Sequence, residues 1–88
     1  MSTSTIAPHY LELIQGARYH AEQMSHLRLA LPESYVSREL PRIRAKLAKG
    51  TELYEAHIEE GEHRASWIDR LIGEAESHID YLDEYMVS

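Results

Sequence analysis

The stretch TELYEAHIEEGEHRASWIDRLIGEAESHIDYLDEYM, residues 51–86, indicates the fold class of this chain. Apolar or small residues recur in it at alternating steps of four and three, which is the spacing of a coiled-coil seam. The pattern predicts one long helix over residues 51–86, on the order of 50 Å in length. The seam positions are Tyr54, Ile58, Gly61, Ala65, Ile68, Ile72, Ala75, Ile79, Leu82 and Met86.

The first part of the chain predicts a helix followed by a connector. We expect a flexible N-terminus over residues 1–7, which are rich in Ser and Thr, and a helix over residues 8–30. The helix begins at Pro8, because a proline at the first helical position loses no hydrogen bond. Pro32 pushes the residue before it out of the helical region, so residues 31–40 are interpreted as a connector.

The basic middle of the chain predicts a second, short helix. Pro41 suits another first helical position, so we expect a basic helix over residues 41–49. Gly50 followed by Thr51 is typical of a helix end and a new N-cap, which favours a bend or break there over a continuous helix. The chain therefore predicts an all-α fold, a helical hairpin or three-helix arrangement within residues 8–88.

The apolar seam also predicts self-association, because it is longer than the first helix can cover. A chain of 88 residues without cysteine buries a small core, and such chains often gain stability by pairing. We therefore expect a homodimer that forms a four-helix-type bundle. The predicted dimer seam consists of Ile58, Ala65, Ile68, Ile72, Ile79 and Leu82.

Charge is segregated along the chain. Residues 51–88 hold eleven Asp and Glu against two Arg, whereas residues 28–49 hold six basic residues against two acidic ones. One interpretation is that the basic segment lies along the acidic helix, in the same chain or in a dimer mate. Another is that the acidic helix attracts a protein with a basic surface by electrostatic steering. Direct nucleic-acid binding is not expected, because the net charge is −6.

Aromatic residues of the long helix supply candidate anchors for such a protein partner. The chain has six Tyr, one Trp and no Phe, and Tyr and Trp are enriched at interfaces. The same residue types also suit the half-exposed positions of a thin bundle. The candidate partner-binding residues are Glu52, Glu55, Glu59, Glu62, Trp67, Asp69, Glu76, Asp80, Tyr81, Asp83 and Tyr85.

These features favour a small acidic interaction module that binds and modulates or inhibits a larger protein. An enzyme that handles nucleic acid is the target we expect, in the manner of a phage-type inhibitor of a host enzyme. A secretion chaperone or antitoxin-like adaptor is a further interpretation. The chain has no nucleophile motif and no phosphate-binding loop, so we expect no catalytic residue and no cofactor. Without a secretion signal or a membrane-length apolar run, we expect a cytoplasmic protein, encoded by a phage or a bacterium.

A metal-binding bundle is the alternative from a different functional class. Glu60 and His63 have the i, i+3 spacing found in di-metal carboxylate bundles, and His57 lies three residues before Glu60. Such a site needs two pairs of this kind and further buried carboxylates, whereas this chain offers one pair. We therefore expect no metal. The candidate ligands of the alternative are His57, Glu60 and His63.

Overall fold

The chain forms three helices in a computed structural model that describes residues 9–61 and 63–87. Helix α1 spans His9–His26, α2 spans Glu33–Glu59 and α3 spans Ser66–Val87. No strand occurs in the described ranges, so the predicted all-α class is confirmed. The predicted flexible N-terminus lies outside them. None of these three helices combines the length and the apolarity that crossing a membrane requires.

One apolar core holds the three helices together, and each helix contributes a stripe of buried side chains. The stripes follow steps of three, four or seven residues, so they lie along one side of each helix. Helix α1 packs against both of the others. The buried residues are Ile14, Ala17, Ala21 and Met24 in α1, Val36, Leu40, Ile43, Leu47 and Tyr54 in α2, and Ile68, Ala75, Ile79 and Leu82 in α3.

Helix α1 ends at His26, so the prediction of a helix over residues 8–30 is wrong at its C-terminal end. Beyond the helix, the carbonyl of Leu27 accepts two turn hydrogen bonds, at 2.8 and 3.1 Å. The Arg28 guanidinium donates to the carbonyl of Ser25 at 3.0 Å. A basic side chain that satisfies a carbonyl of the last turn stabilises a helix end, which accounts for the early stop.

Helix α2 runs through most of residues 31–40, so the predicted connector there and the separate helix over residues 41–49 are wrong. A proline inside a helix costs about 3 kcal/mol. Pro41 lies on the exposed side of α2, while Leu40 and Ile43 beside it are buried. Burying each of these aliphatic side chains contributes about 1.5–3 kcal/mol. The free energy gained by burying these two side chains therefore outweighs the cost of a proline inside the helix.

Gly50 is buried inside α2, so the predicted break at this residue is wrong. Helix α1 passes very close to it. A Cβ atom on Gly50 would stand 2.9 Å from Ile14 Cγ1 and 3.0 Å from Leu13 Cβ, which is closer than carbon atoms pack. The absence of a side chain at Gly50 therefore permits a close contact between two helices and does not end one.

The long acidic helix predicted over residues 51–86 is divided into two helices by the segment 60–65. Gly61 has a φ of +112°, a conformation that side chains disfavour. Its N–H donates to the carbonyl of Ile58 at 3.0 Å, as is common where a glycine ends a helix. The apolar spacing continues across this break, because α2 and α3 both turn their apolar side toward the same core.

Tyr54 fixes the chain just before α3 begins. Its ring is 1% exposed. Its hydroxyl accepts a hydrogen bond from the N–H of Ala65 at 2.7 Å and donates to the carbonyl of Ala65 at 3.2 Å. The Tyr10 ring packs against it, with 5.3 Å between the ring centroids. One side chain of α2 therefore satisfies the N–H of the residue that precedes α3 and adds a bond to its carbonyl, which also accepts from the first turn of α3.

Candidate interaction surface

Helix α3 carries two kinds of side chain on the two sides of its buried stripe. Residues three, four or seven positions apart lie along the same side of a helix. The first side, the aromatic flank, consists of Trp67, Glu74, His78, Tyr81 and Tyr85. The second side, the acidic flank, consists of Asp69, Glu76, Asp80 and Asp83. The candidate anchors of α3 are therefore separated from its candidate acids, although both were predicted as one surface.

The aromatic flank borders α1 and is open to solvent. Trp67 is 50% exposed, Tyr81 42% and Tyr85 38%. The Arg28 guanidinium, in the turn after α1, stacks over the Tyr81 ring at 5.0 Å from its centroid, which places this flank beside the α1 end. Aromatic rings carry large apolar areas, and a row of them on one helix is typical of an interaction surface.

A second contact confirms that the aromatic flank lies on the α1 side. The Glu74 carboxylate stands 3.5 Å from the Arg18 guanidinium of α1. Arg18 also donates to Glu22 one turn further along α1, at 3.1 Å. The Glu74 carboxylate is therefore paired inside the chain. The aromatic rings supply most of the surface of this flank that a partner could contact.

The acidic flank borders α2, and part of its charge is paired within the chain. Arg44 of α2 stands 3.3 Å from Asp83. Arg64, just before α3, donates to Asp69 at 2.6 Å. The charge that remains for a partner is smaller than the count of acids in the sequence indicates. The acids of this flank that make no ion pair with another described residue are Glu76 and Asp80.

Arg64 joins the C-terminal part of α2 to the start of α3. Its guanidinium donates to Glu55 and to Asp69, each at 2.6 Å, and stacks over the Tyr54 ring at 5.4 Å. The hydrogen bond to Glu55, and after it the charges of Asp69 and Glu55, raise the pKa of Arg64 above its ordinary value. The guanidinium is exposed, so solvent screens these pairs, and their main effect is to offset one of the two negative charges of these candidate acids.

The other candidate acids belong to α2 or lie beyond it. Glu52 is exposed and accepts a hydrogen bond from Lys49 at 3.5 Å. Glu59 is exposed at the last position of α2. Glu62 lies outside the described residues. The end of α2 therefore separates these acids from those of α3, in place of the single continuous row that one long helix would have presented.

The predicted dimer seam lies largely inside one chain. Ile68 is 5% exposed, Ile79 2% and Leu82 0%. These side chains face the core formed with α1 and α2. They can do so because residues 51–86 belong to two helices that fold back on each other. The half-buried members of the seam, packed against the same core, are Ile58, Ala65 and Ile72. Pairing of two copies stays a prediction, and it needs a surface other than these buried side chains.

The candidate ligands of the metal alternative are separated by the end of α2. His57 lies in the last turn of α2, where its ring packs against Tyr10 at 5.4 Å. Glu60 is the C-cap residue and His63 follows the turn, so the helical spacing that would place them on one side is lost. Within residues 9–61 and 63–87, no three metal-ligating side chains are grouped in a way that could hold an ion.

One end of the bundle carries a groove that the sequence had not indicated. We call this region the open end, formed by residues 27–32 and the last turn of α3. The groove has a volume of about 480 Å³ and is lined by Leu31, Glu33, Val36, Tyr85 and Met86. Leu27 is 51% exposed and Leu29 81% in the turn beside it. The run LRLALP, residues 27–32, could have indicated this apolar end, because it places three leucines in a segment that ends in proline.

Comparisons of this chain with protein-family models, with curated proteins and with solved structures found no match in any of the three.

Proposed function

We propose that this protein is an interaction module that binds a larger protein through the exposed surface of α3. The observation that carries the proposal is the aromatic flank, on which Trp67, Tyr81 and Tyr85 stand open along one side of a helix. Trp and Tyr are among the residues that contribute most to binding, and truncating such an anchor costs about 2 kcal/mol or more. The protein acts in the cytoplasm by contact and without catalysis, since its sequence contains no catalytic motif and no cysteine.

The acidic flank indicates the chemistry of the partner. Glu76 and Asp80 have no ion pair with another described residue, so their charge is available to cations of another protein. Exposed acids of one sign raise the rate of association with a basic surface. A protein with a basic, nucleic-acid-binding cleft fits this chemistry, and occupation of the cleft would inhibit the protein or alter its activity.

Affinity capture from the source cell with matched variants tests the surface. Trp67→Ala should weaken the complex about 30-fold, which corresponds to the loss of one anchor. Glu76→Lys combined with Asp80→Lys should slow association severalfold at low salt and have little effect at high salt. Glu12→Lys reverses an exposed acid of α1 and serves as the control. A partner that binds all of these variants equally well contradicts the proposal.

Competition by nucleic acid tests the class of partner. If the partner uses a basic nucleic-acid cleft for this contact, saturating DNA or RNA should displace the protein, because both ligands need the same surface. The activity of the partner should fall or change when the complex forms. A complex that survives saturating nucleic acid, with the partner's activity unchanged, supports a chaperone or adaptor role in place of inhibition.

We also propose that the protein self-associates. The support is its small size, since 88 residues bury a limited core and association adds stability. Three residues of the predicted seam are already buried in one chain, so two copies meet on another surface in this proposal. Light scattering at high micromolar concentration tests it. A monomer with full helicity at that concentration excludes an obligate dimer.

A further inference from the structure

The open end of the bundle carries an apolar projection beside a groove of mixed polar and apolar surface. Leu29 is 81% exposed in the turn between α1 and α2. The groove is lined by Leu31, Val36, Tyr85 and Met86, and Leu31 follows Leu29 by two residues. A leucine side chain gains about 1.5–3 kcal/mol when it moves from water into an apolar site. A single copy leaves both the projection and the groove in contact with water.

Two opposite charges accompany these features. Arg28 precedes Leu29, and Glu33 lines the groove. Glu33 makes no ion pair with another described residue. The Arg28 guanidinium is held in place by the Ser25 carbonyl at 3.0 Å and by the Tyr81 ring, and it keeps further N–H groups for another acceptor. The groove thus offers apolar side chains within a partly polar surface and one carboxylate, and the turn offers an apolar side chain beside one guanidinium.

We propose that two copies of this chain associate through their open ends. Leu29 of each copy enters the groove of the other, and Arg28 of each copy lies beside Glu33 of the other. The contact is reciprocal, so one two-fold axis fills both grooves and closes the pair. This inference rests on the self-association proposed above. It shares Tyr85 with the aromatic flank but does not involve Trp67, so a change at Trp67 affects partner binding alone and the two proposals can fail separately.

The cross-section of the bundle limits the strength of this contact. The molecule measures 46 × 23 × 17 Å, so the end of the bundle covers on the order of 400 Å². A stable protein interface buries about 800 Å² on each partner, which is roughly twice as much. The pair is therefore a weak and reversible dimer, with a dissociation constant on the order of 100 µM.

Sedimentation and small-angle X-ray scattering at concentrations up to about 1 mM test the geometry. An end-to-end pair is much longer than the 46 Å of one bundle, approaching twice that length, whereas a side-by-side pair keeps nearly the same length. A concentration-dependent dimer with an elongated envelope is the expected result. A monomer at about 1 mM overturns the proposal. A dimer no longer than one bundle also overturns it.

Charge exchange between two variants tests the pairing of residues. In a homodimer of Arg28→Glu, or in one of Glu33→Arg, both contacts bring like charges together, and each homodimer should weaken about tenfold. A mixture of the two variants should recover wild-type association, because every contact in the mixed dimer joins opposite charges. Circular dichroism establishes that both variants are folded. Two folded variants that fail to associate with each other overturn the proposal.

A matched pair of exposed positions tests the apolar part of the contact. Leu29→Ser should weaken the dimer about tenfold or more, because each copy loses one buried leucine. Ala48→Ser changes an exposed residue of α2 outside the open end and should leave the dimer unchanged. Trp67→Ala should also leave it unchanged, whatever that variant does to partner binding. Dimerisation of Leu29→Ser at the wild-type concentration overturns the proposal.

Discussion

Gly50 and Gly61 have different effects on helix α2. Gly50 lies inside α2, and Gly61 lies just after its end. At Gly50, helix α2 continues, and α1 lies so close that an added Cβ would stand 2.9 Å from Ile14 Cγ1. At Gly61, no described residue apart from its chain neighbours comes within 4 Å of such an atom, and α2 ends where the φ of Gly61 is +112°. The first glycine is required by a neighbouring helix and the second by its own backbone conformation. Substitutions at these positions should therefore fail for different reasons.

Gly50→Val should have the largest effect on stability. The added side chain would meet Leu13 and Ile14, and the backbone nitrogen of Ile14 stands 3.2 Å from the new Cβ, so rotation of a side chain alone cannot relieve the contact. Overpacking of this kind costs about 3 kcal/mol. Ala48→Val, at an exposed position of α2, is the control. Urea denaturation measures both, and a Gly50→Val variant as stable as its control would show that α1 does not pass this close.

Tyr54→Phe should destabilise the segment after Gly61. It leaves the left-handed backbone conformation of Gly61 itself unchanged. The N–H of Ala65 loses its acceptor, which costs about 2 kcal/mol, whereas the Ala65 carbonyl still accepts from the N–H groups of Ile68 and Asp69. Tyr19→Phe removes a hydroxyl from a ring that is 61% exposed and should be neutral. Thermal melts give the stability of both variants. Hydrogen exchange should show faster exchange of the Ala65 amide in Tyr54→Phe only.

Gly61→Ala should lower stability by about 1 kcal/mol, because an L-residue is strained in a left-handed backbone conformation. Gly73→Ala should act in the opposite direction. Apart from its chain neighbours and the nearby backbone of α3, no described residue lies within 4 Å of a Cβ added at Gly73, so the change should gain about 1 kcal/mol of helix propensity. Melting temperatures of the two variants measure the contrast. If both substitutions shift the melting temperature in the same direction, the left-handed backbone conformation of Gly61 is not what ends α2.

Arg64→Gln should have the smallest effect, and salt should remove most of it. The exposed guanidinium donates to Glu55 and Asp69, one on each side of the turn that contains Gly61. Screening weakens such exposed pairs, so the melting temperature should fall slightly at low salt and hardly at all at high salt. A salt series of melting curves for wild type and variant measures this. A decrease that persists at high salt would contradict a purely electrostatic role.

The apolar spacing of the sequence predicted which residues of the C-terminal half form the core, and it did not predict where the helices end. Tyr54, Ile68, Ala75, Ile79 and Leu82 all lie on the predicted seam, and all are buried. Spacing alone could not reveal the turn, because α2 and α3 face the same core and the steps of three and four between apolar residues continue from one helix to the other. Gly50 was interpreted as a helix end and Gly61 as a position of the seam, since only the position of α1 distinguishes a glycine that permits a helix contact from one that ends a helix.

The aromatic part of the candidate surface was easier to predict than its charge. Trp67, Tyr81 and Tyr85 were predicted as anchors, and their exposed positions on one flank follow from their spacing in a helix. The available negative charge was overestimated, because pairs such as Arg44 with Asp83 join residues far apart in the chain. The open end was missed, because Leu27 and Leu31 fit the apolar stripe of α1 until the early end of that helix is known.

Trp67 gives this molecule an optical signal of its own. It is the only tryptophan in the chain, and half of its side chain is in water at the start of α3. The emission of an indole shifts to shorter wavelength when a less polar environment replaces water. A partner that covers the aromatic flank should therefore shift and brighten the fluorescence of unlabelled protein. Addition of a second copy at the open end should leave the spectrum unchanged, so one cuvette titration separates the two kinds of association.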